Sequence, residues 1–117
     1  MNSKEEVEAF AKAFFGFVRD EAIRECDMNA RPGVTHLIAR RWRSLGVAPE
    51  ALRVLIPDIV DEALHAFLRA IDQDVLHLKY VDRAGREIDL NEESQGEFGG
   101  WFGDWRTAFS KERYNDF

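Results

Sequence analysis

The N-terminal part of the chain predicts one long amphipathic helix. Ser3 and Glu6 have the spacing of a capping box, which favours a helix start here. Apolar residues then recur at helical intervals within an arc of about 160°. They are Val7, Phe10, Ala11, Phe14, Phe15, Phe17, Val18 and Ala22. We expect this side to be buried, the helix to end near Cys26, and residues 27–31 to form a loop.

The middle of the chain predicts further helices punctuated by prolines. One starts near Pro32, ends at Gly46 as a C-terminal cap, and has the apolar residues Val34, Leu37, Ile38, Trp42 and Leu45. Another starts at Pro49. Pro57 has no N–H to donate and disfavours helical geometry before it, so we expect a break or kink there. A new helix then runs from Asp58 to about Ile71. Its apolar side comprises Ile59, Val60, Ala63, Leu64, Phe67, Leu68 and Ile71.

After Asp74 the apolar pattern changes to the alternation of β-strands. Residues 75–81 and 86–90 predict two strands joined by a turn at 82–85. Two strands alone are marginal in water, so one side of the hairpin must pack on the helices. That side comprises Leu76, Leu78, Tyr80, Ile88 and Leu90. The expected fold is α+β: a bundle of four to five helices with one antiparallel β-hairpin before a C-terminal helix, all in one globular domain of residues 1–117.

The segment 96–109, GEFGGWFGDWRTAF, combines aromatic residues and glycines at helical spacing. The rings of Phe98, Trp101, Phe102, Trp105 and Phe109 share one side, and the glycines lie nearly opposite. We therefore expect a helix that packs by its rings and has loose first turns, because glycine disfavours helix. A loop that cradles a small molecule is the alternative.

The same segment supplies the candidate binding residues. A side bare of Cβ atoms permits close backbone approach by a partner or ligand, with an indole edge as an anchor. The candidates are Tyr80, Gly99, Gly100, Trp101, Gly103 and Trp105.

Charge and composition narrow the function. The net charge of −6 and pI of about 5.1 disfavour binding to nucleic acid or anionic lipid. Cys26 is the single cysteine, which excludes an internal disulfide and favours a structural thiol in a reducing compartment. The start MNSKEEVEAF lacks the pattern of a signal peptide, and no apolar run reaches membrane-spanning length. We expect a soluble, cytoplasmic protein.

Motifs for catalysis or metal binding are weak. Glu62 and His65 have the Glu-x-x-His spacing of di-iron bundles, and Asp58 and Asp61 lie beside them. Helical geometry places this cluster opposite the apolar side, so we expect a solvated surface. No phosphate-binding loop or nucleophile motif is present, and His36 and His77 have no evident shared site. We assign no catalytic residue, cofactor or metal ligand, and a function without catalysis is favoured.

Residues 37–57 resemble a helix-turn-helix DNA-binding motif. Gly46 and Val47 match the turn, and Leu52 and Leu55 match buried positions of the second helix. The resemblance implies DNA binding through that helix. It departs at Trp42, where the motif has a small residue. With the acidic net charge, this departure favours an ordinary helical corner.

These observations favour a small protein-interaction module that regulates or inhibits a partner. Toxin-immunity proteins are analogous in size and charge only. An acidic surface suits a basic protein partner, and neither nucleic acid nor membrane is expected. The alternative is a small-molecule binder or enzyme with a pocket between the hairpin and the last helices, lined by Tyr80, Trp101 and Trp105. The sequence leaves the oligomeric state open.

Overall fold

The computed structural model describes residues 3–116. Residues 1, 2 and 117 lie outside this part, as does the side chain of Ser3, on which the expected capping box depends. The described chain is α+β, as predicted, with one two-stranded antiparallel sheet before the C-terminal helices. The helices are α1 (Ser3–Ala13), α2 (Asp20–Asn29), α3 (Leu37–Ser44), α4 (Pro49–Asp72), α5 (Leu90–Ser94) and α6 (Phe102–Phe109). A π-helical segment (Phe14–Arg19) joins α1 to α2, and a 3₁₀ turn (Phe98–Trp101) precedes α6.

The hairpin is shorter than predicted. Its strands are β1 (Lys79–Val81) and β2 (Glu87–Asp89), with Tyr80 opposite Ile88. Leu90 is the first residue of α5 rather than part of a strand, because the Asp89 carboxylate caps this helix by accepting from the backbone N–H groups of Asn91 and Glu92. Ile88 and Leu90 are buried against the helices, as expected, whereas Leu76 is exposed.

Two apolar clusters form the core. The larger cluster joins α1, the C-terminal half of α4, the hairpin and α6. Its buried members include Phe10, Phe15, Leu68, Phe98 and Trp105. The smaller cluster consists of Ile23, Ile56 and Val60, with Trp42 and Leu52 packed on it. Leu64 packs against both clusters and so connects them.

The π-helical segment changes which residues of the first helix are buried. Phe17 and Val18, predicted to be buried, are 64% and 44% exposed. Arg19 and Asp20 are fully buried instead. Hydrogen bonding from i to i+5 adds one residue to the turn and so rotates the residues that follow it relative to α1. The helix also continues to Asn29, past the predicted end at Cys26.

The predicted break at Pro57 is wrong, because α4 runs through this residue from Pro49 to Asp72. Proline lacks the N–H that would bond to the carbonyl of Arg53. The side chain of Arg113 supplies the missing donors, with Nε 3.1 Å and Nη2 2.9 Å from that carbonyl oxygen. A distant side chain thus satisfies the backbone at a site where sequence rules predict interruption.

The buried side of α4 is also rotated from the prediction. Ile59, Ala63 and Phe67 are exposed, and Asp61, expected in solvent, is buried. Two arginines outside α4 pair with Asp61, so the charged residue can face the interior. In α3, which starts at Leu37 rather than near Pro32, the predicted core residues Leu37, Ile38 and Leu45 are exposed.

Candidate functional site

The aromatic–glycine segment packs by its rings, as predicted. Phe98, Phe102 and Trp105 are buried, and Trp101 and Phe109 are half-buried. The first turn is a 3₁₀ turn and the α-helix starts at Phe102. The Asp72 carboxylate caps this turn by accepting from the backbone N–H of Phe98 at 2.9 Å and of Gly99 at 2.7 Å. The glycine-rich start is therefore held by a side chain of α4.

The glycines face two different environments. A Cβ added to Gly99 would lie 3.2 Å from Arg69 Cγ, 3.3 Å from Asp72 Oδ2 and 3.4 Å from His65 Nε2. Gly99 thus permits close approach of the protein's own helix α4. A Cβ on Gly100 or Gly103 would meet nothing within 4 Å.

The aromatic candidates line two separate grooves. Trp101 and Trp105 border a groove of about 340 Å³ with Lys4, Val7, Glu8 and Glu93. Tyr80 borders another groove, of about 420 Å³, which includes Phe14, Val18, Ala63 and Phe67. Tyr80 and the two tryptophans therefore line different grooves, although all three belong to or pack against the larger core cluster.

We name residues 110–116 the strap. The sequence analysis did not predict the set of buried ion pairs that lies beneath this segment. At its centre is Arg19, whose side chain is 0% exposed. Its Nε and Nη2 donate to the Asp61 carboxylate at 2.6 and 3.2 Å. Its Nη1 donates to Ser110 Oγ at 2.7 Å and to the Glu112 carbonyl at 3.1 Å, and Nη2 donates to the Arg113 carbonyl at 2.8 Å. These five contacts use every donor of a guanidinium group.

Asp20 holds the beginning of the strap. Its carboxylate accepts from the hydroxyl of Ser110, from the backbone N–H of Lys111 at 2.9 Å and from that of Glu112 at 3.2 Å. Consecutive buried residues of opposite charge therefore bind the same segment, one through its carbonyls and the other through its amides.

Side chains from α6 and the strap complete this network. Arg106 Nη1 donates to Asp61 at 2.8 Å, and its guanidinium lies over the Tyr114 ring, 4.1 Å from the centroid. Arg113 forms a bidentate pair with Asp27 at 2.7 and 2.9 Å. Such planar, bidentate pairing adds geometric specificity as well as binding energy. In the sequence, the one indication of this network is Pro57, which lies within an otherwise helical pattern.

An exposed apolar surface lies between α3 and α4. We name it the α3–α4 groove; it has a volume of about 230 Å³. Leu45, Leu55 and Ile59 in its wall are 70%, 45% and 63% exposed. Its lining residues are Cys26, Trp42, Leu45, Val47, Leu52, Leu55, Ile56, Ile59 and Val60. None of these nine described residues is charged.

This surface continues along α4. Leu55, Ile59, Ala63 and Phe67 are exposed and follow one another at intervals of four residues, so they form one stripe. Val18 borders the far end, where the stripe reaches the groove of Tyr80. Between Leu52 and Phe67 the helix rises about 22 Å. The stripe and the α3–α4 groove together form one elongated apolar surface, which we name the docking surface.

Cys26 lies in the wall of this surface. Burial raises the pKa of its thiol, and the charges of Asp27 and Glu25 raise it further. The thiol therefore stays protonated at neutral pH, which suits an apolar wall residue rather than a nucleophile.

Glu62 and His65 differ in their surroundings. Glu62 is exposed, whereas the His65 ring packs edge-on against Phe102 with centroids 5.5 Å apart. Within residues 3–116, no three histidine, cysteine or acidic side chains are grouped so that they could hold a metal ion.

Comparison with protein-family models, curated proteins and solved structures gives no match to this chain. None of the helices in the described part combines the length and hydropathy needed to cross a bilayer.

Proposed function

We propose that the chain is a protein-interaction module that binds a partner through the docking surface. The observation that carries this proposal is the exposure of large aliphatic side chains on one connected surface of α3 and α4. Exposed apolar residues are common singly, but a contiguous apolar groove marks a site of association.

The free energy available from burying the exposed side chains of the groove also supports binding. Full burial of an aliphatic side chain stabilises by about 1.5–3 kcal/mol, so Leu45, Leu55 and Ile59 offer on the order of 5 kcal/mol before the costs of association. A partner that covered the stripe as well would gain more. The smaller core cluster lies directly beneath the groove, so the wall residues are held in place for binding.

The class of activity that we propose is regulation or inhibition of the partner, as immunity proteins inhibit toxins, in the cytoplasm. A single cysteine with a protonated thiol suits a reducing compartment. The net charge of −6 favours encounter with a basic partner at long range. Binding at the groove itself depends on local charge.

Paired surface variants test this proposal. Leu45→Glu with Ile59→Glu places charges in the groove at exposed positions that contribute little to the core. Val75→Glu is the matched control, because Val75 is 70% exposed and lies outside the lining of the groove. We expect affinity capture from native lysate to retain a partner with the wild type and the control but not with the double variant. The purified partner should also protect Cys26 from alkylation.

The opposite pattern would reject the proposal. If every captured protein bound the wild type and the double variant equally, the groove would not be the binding site. Circular dichroism and thermal unfolding of all variants establish that each remains folded.

A further inference from the structure

We infer that a second copy of the chain packs on the exposed side of α4, so that two chains form an antiparallel dimer with two-fold symmetry. In this dimer, the middle and the C-terminal half of α4 serve self-association, which goes beyond the proposed function. Leu45, Val47 and Leu52 of the α3–α4 groove lie outside the contact between the two copies and stay open to the partner.

The exposed side of α4 contains a row of apolar residues with the spacing of a coiled coil, which we name the seam. Its residues, at intervals of four, three and four, are Ile59, Ala63, Ala66 and Ala70. They lie within an arc of about 60° on the helix. The first three are exposed and Ala70 is half-buried. Leu55 and Phe67 are exposed beside the seam and enlarge its apolar area.

The sizes of the seam residues suit the approach of a second α4. When two copies of this helix run antiparallel, Ile59 lies opposite Ala70 of the second copy. Ala63 then lies opposite Ala66 of that copy, so a large residue meets a small one and small residues meet at the centre. Because the contact is two-fold symmetric, each pairing occurs twice and the contact closes on itself.

The charges beside the seam have opposite signs. Glu62 and Arg69 are both exposed and lie seven residues apart, so they flank the seam on the same side. Neither takes part in an ion pair among the described residues. In the antiparallel pair, Glu62 of each copy meets Arg69 of the other, as flanking charges do in coiled coils. A partner of uniform charge would meet repulsion at one of the two positions, whereas a second copy satisfies both.

The exposed area of the chain also favours a dimer. A monomer of 13.5 kDa is expected to expose about 6,500 Å² of surface. This chain exposes 7708 Å². The difference exceeds the roughly 800 Å² that each protein contributes to an interface of standard size. Burial of the seam, with Val18 and Phe67 beside it, would bring the exposed area of each chain closer to that of an ordinary protein.

Sedimentation velocity of the full chain tests the dimer. We expect the mean mass to rise towards twice 13.5 kDa as the protein concentration increases through the micromolar range. Ala66→Glu should prevent this rise, because it places a carboxylate within the apolar seam of each copy. Ala66 is exposed, so the variant chain should still fold. Ala108→Glu is the matched control, because Ala108 is an exposed alanine of α6 and lies outside the seam.

Charge exchange tests the antiparallel pairing. Glu62→Arg and Arg69→Glu each turn two attractive pairs into two repulsive ones, so each should weaken self-association about tenfold. An equimolar mixture of the two single variants should associate as tightly as the wild type, because one chain supplies both arginines and the other both glutamates. The chain with both substitutions should regain the wild-type affinity. These differences should shrink at high salt, and circular dichroism establishes that each variant remains folded.

The contrary results are equally clear. A chain that stays monomeric throughout the micromolar range would overturn the dimer. A dimer that withstands Ala66→Glu would place the contact elsewhere, and a mixture of single variants that fails to associate would exclude the antiparallel pairing. Growth of the mass beyond two copies would exclude a closed two-fold contact.

Capture from native lysate separates the dimer from the proposed function. Leu45→Glu should weaken capture of the partner and leave the dimer intact, whereas Ala66→Glu should do the reverse. A monomeric wild type with capture that depends on Leu45 would reject the dimer alone. A dimer without such capture would reject the proposed function alone. Loss of both properties in either variant, with the fold intact, would overturn the separation of the seam from the α3–α4 groove.

Discussion

Asp61 lies between two arginine side chains, and its role depends on that position. Its carboxylate accepts from Arg19 and from Arg106, and all three residues are buried. Buried charges are tolerated when they are paired and hydrogen-bonded. Asp61 is thus the shared counter-ion of the network beneath the strap.

Asp61→Asn should therefore be strongly destabilising. The substitution keeps the side-chain shape but leaves two buried guanidinium groups without their shared counter-ion, at a cost of about 3–5 kcal/mol. Urea unfolding measures the loss. Glu62→Gln is the control, because this exposed neighbour should change stability by no more than about 0.5 kcal/mol. Similar losses for the two variants would show that the buried pairs contribute little.

Gly99 and Gly103 should respond to alanine in opposite directions. Gly103 lies inside α6 with open space around it, so Gly103→Ala should stabilise by about 0.5–1 kcal/mol. At Gly99, a Cβ would press on Asp72, which hydrogen bonds to Ser94, Phe98 and Gly99 keep from moving. We expect Gly99→Ala to cost about 1–3 kcal/mol. Thermal unfolding measures whether each substitution raises or lowers stability. Stabilisation by both Gly99→Ala and Gly103→Ala would contradict the packing at Gly99.

The pKa of Cys26 predicts how its reactivity depends on pH. Because burial raises this pKa, thiol alkylation should be slower than for a free cysteine at pH 8 and should still increase at higher pH. The unfolded chain ionises first, so this thiol favours folding below the pKa of the unfolded thiol. That contribution is lost as pH rises through the folded pKa. Alkylation rates in native buffer and in urea test the effect, and equal rates at pH 8 would contradict it.

At the level of elements, α4 depends on a partner far away in the sequence. Its central proline leaves the Arg53 carbonyl without a helical donor, and Arg113 compensates. The neighbouring carbonyl of Val54 accepts from Asn115 at 2.8 Å. The strap thus completes the hydrogen bonding of a helix formed about sixty residues earlier.

A double-mutant cycle tests this dependence. In the Pro57→Ala background, the new backbone N–H can donate to the Arg53 carbonyl, so Arg113→Ala should cost less than in the wild type. We expect a coupling energy of about 0.5–1.5 kcal/mol from chemical denaturation. Asn115→Ala serves as the control. Asn115 donates to the Val54 carbonyl, which does not lose its helical donor to Pro57. Equal costs of Arg113→Ala in both backgrounds would exclude the compensation.

The existence of the elements could be predicted from the sequence, but the buried sides of α3, α4 and the end of the first helix could not. Apolar periodicity correctly predicts the first helix and the hairpin. Apolar periodicity gives the wrong buried side for α4, because it places every charged residue on the solvent side. Asp61 faces inward only because Arg19 and Arg106 meet it, and both are more than forty positions away. Local patterns do not contain that information.

The whole molecule is elongated, with extents of 48 × 30 × 25 Å, and its two core clusters differ in size. The smaller cluster supports α3, whose buried contribution is Ala39 with the half-buried Trp42. In the larger cluster, Phe15 of the π-helical segment packs edge-on against Phe102 and Trp105 of α6. Stability is therefore distributed unequally along the long axis.

Native-state hydrogen exchange should resolve this difference. Amides of α3 should exchange at least about tenfold faster than those around Phe15 and Leu68, because few buried contacts hold α3 in place. Mass spectrometry of proteolytic fragments provides the measurement. Uniform protection across α3 and the larger core would indicate a single cooperative unit. The α3–α4 groove belongs to the less protected half, where adjustment to a partner costs least.

The candidate site could be predicted only in part. The ring-inward packing of residues 98–109 follows from helical spacing, and the structure confirms it. The docking surface was not predicted, because its apolar residues were assigned to the core. The strap has no periodic pattern, and its partners lie as many as 94 positions away. Both features arise from tertiary pairing that propensity does not encode.

The π-helical segment makes the first helix sensitive to its length rather than its composition. Deleting one residue between Phe14 and Arg19 would let the helix continue as α and turn every later side chain by about 100°. Phe17 and Val18 would then turn towards the interior, and Arg19 and Asp20 would lose their hydrogen bonds to the strap. Many substitutions on the solvent side are compatible with this helix, but a single deletion is not. A related chain that lacks the extra residue would need a different way to hold its C-terminal segment.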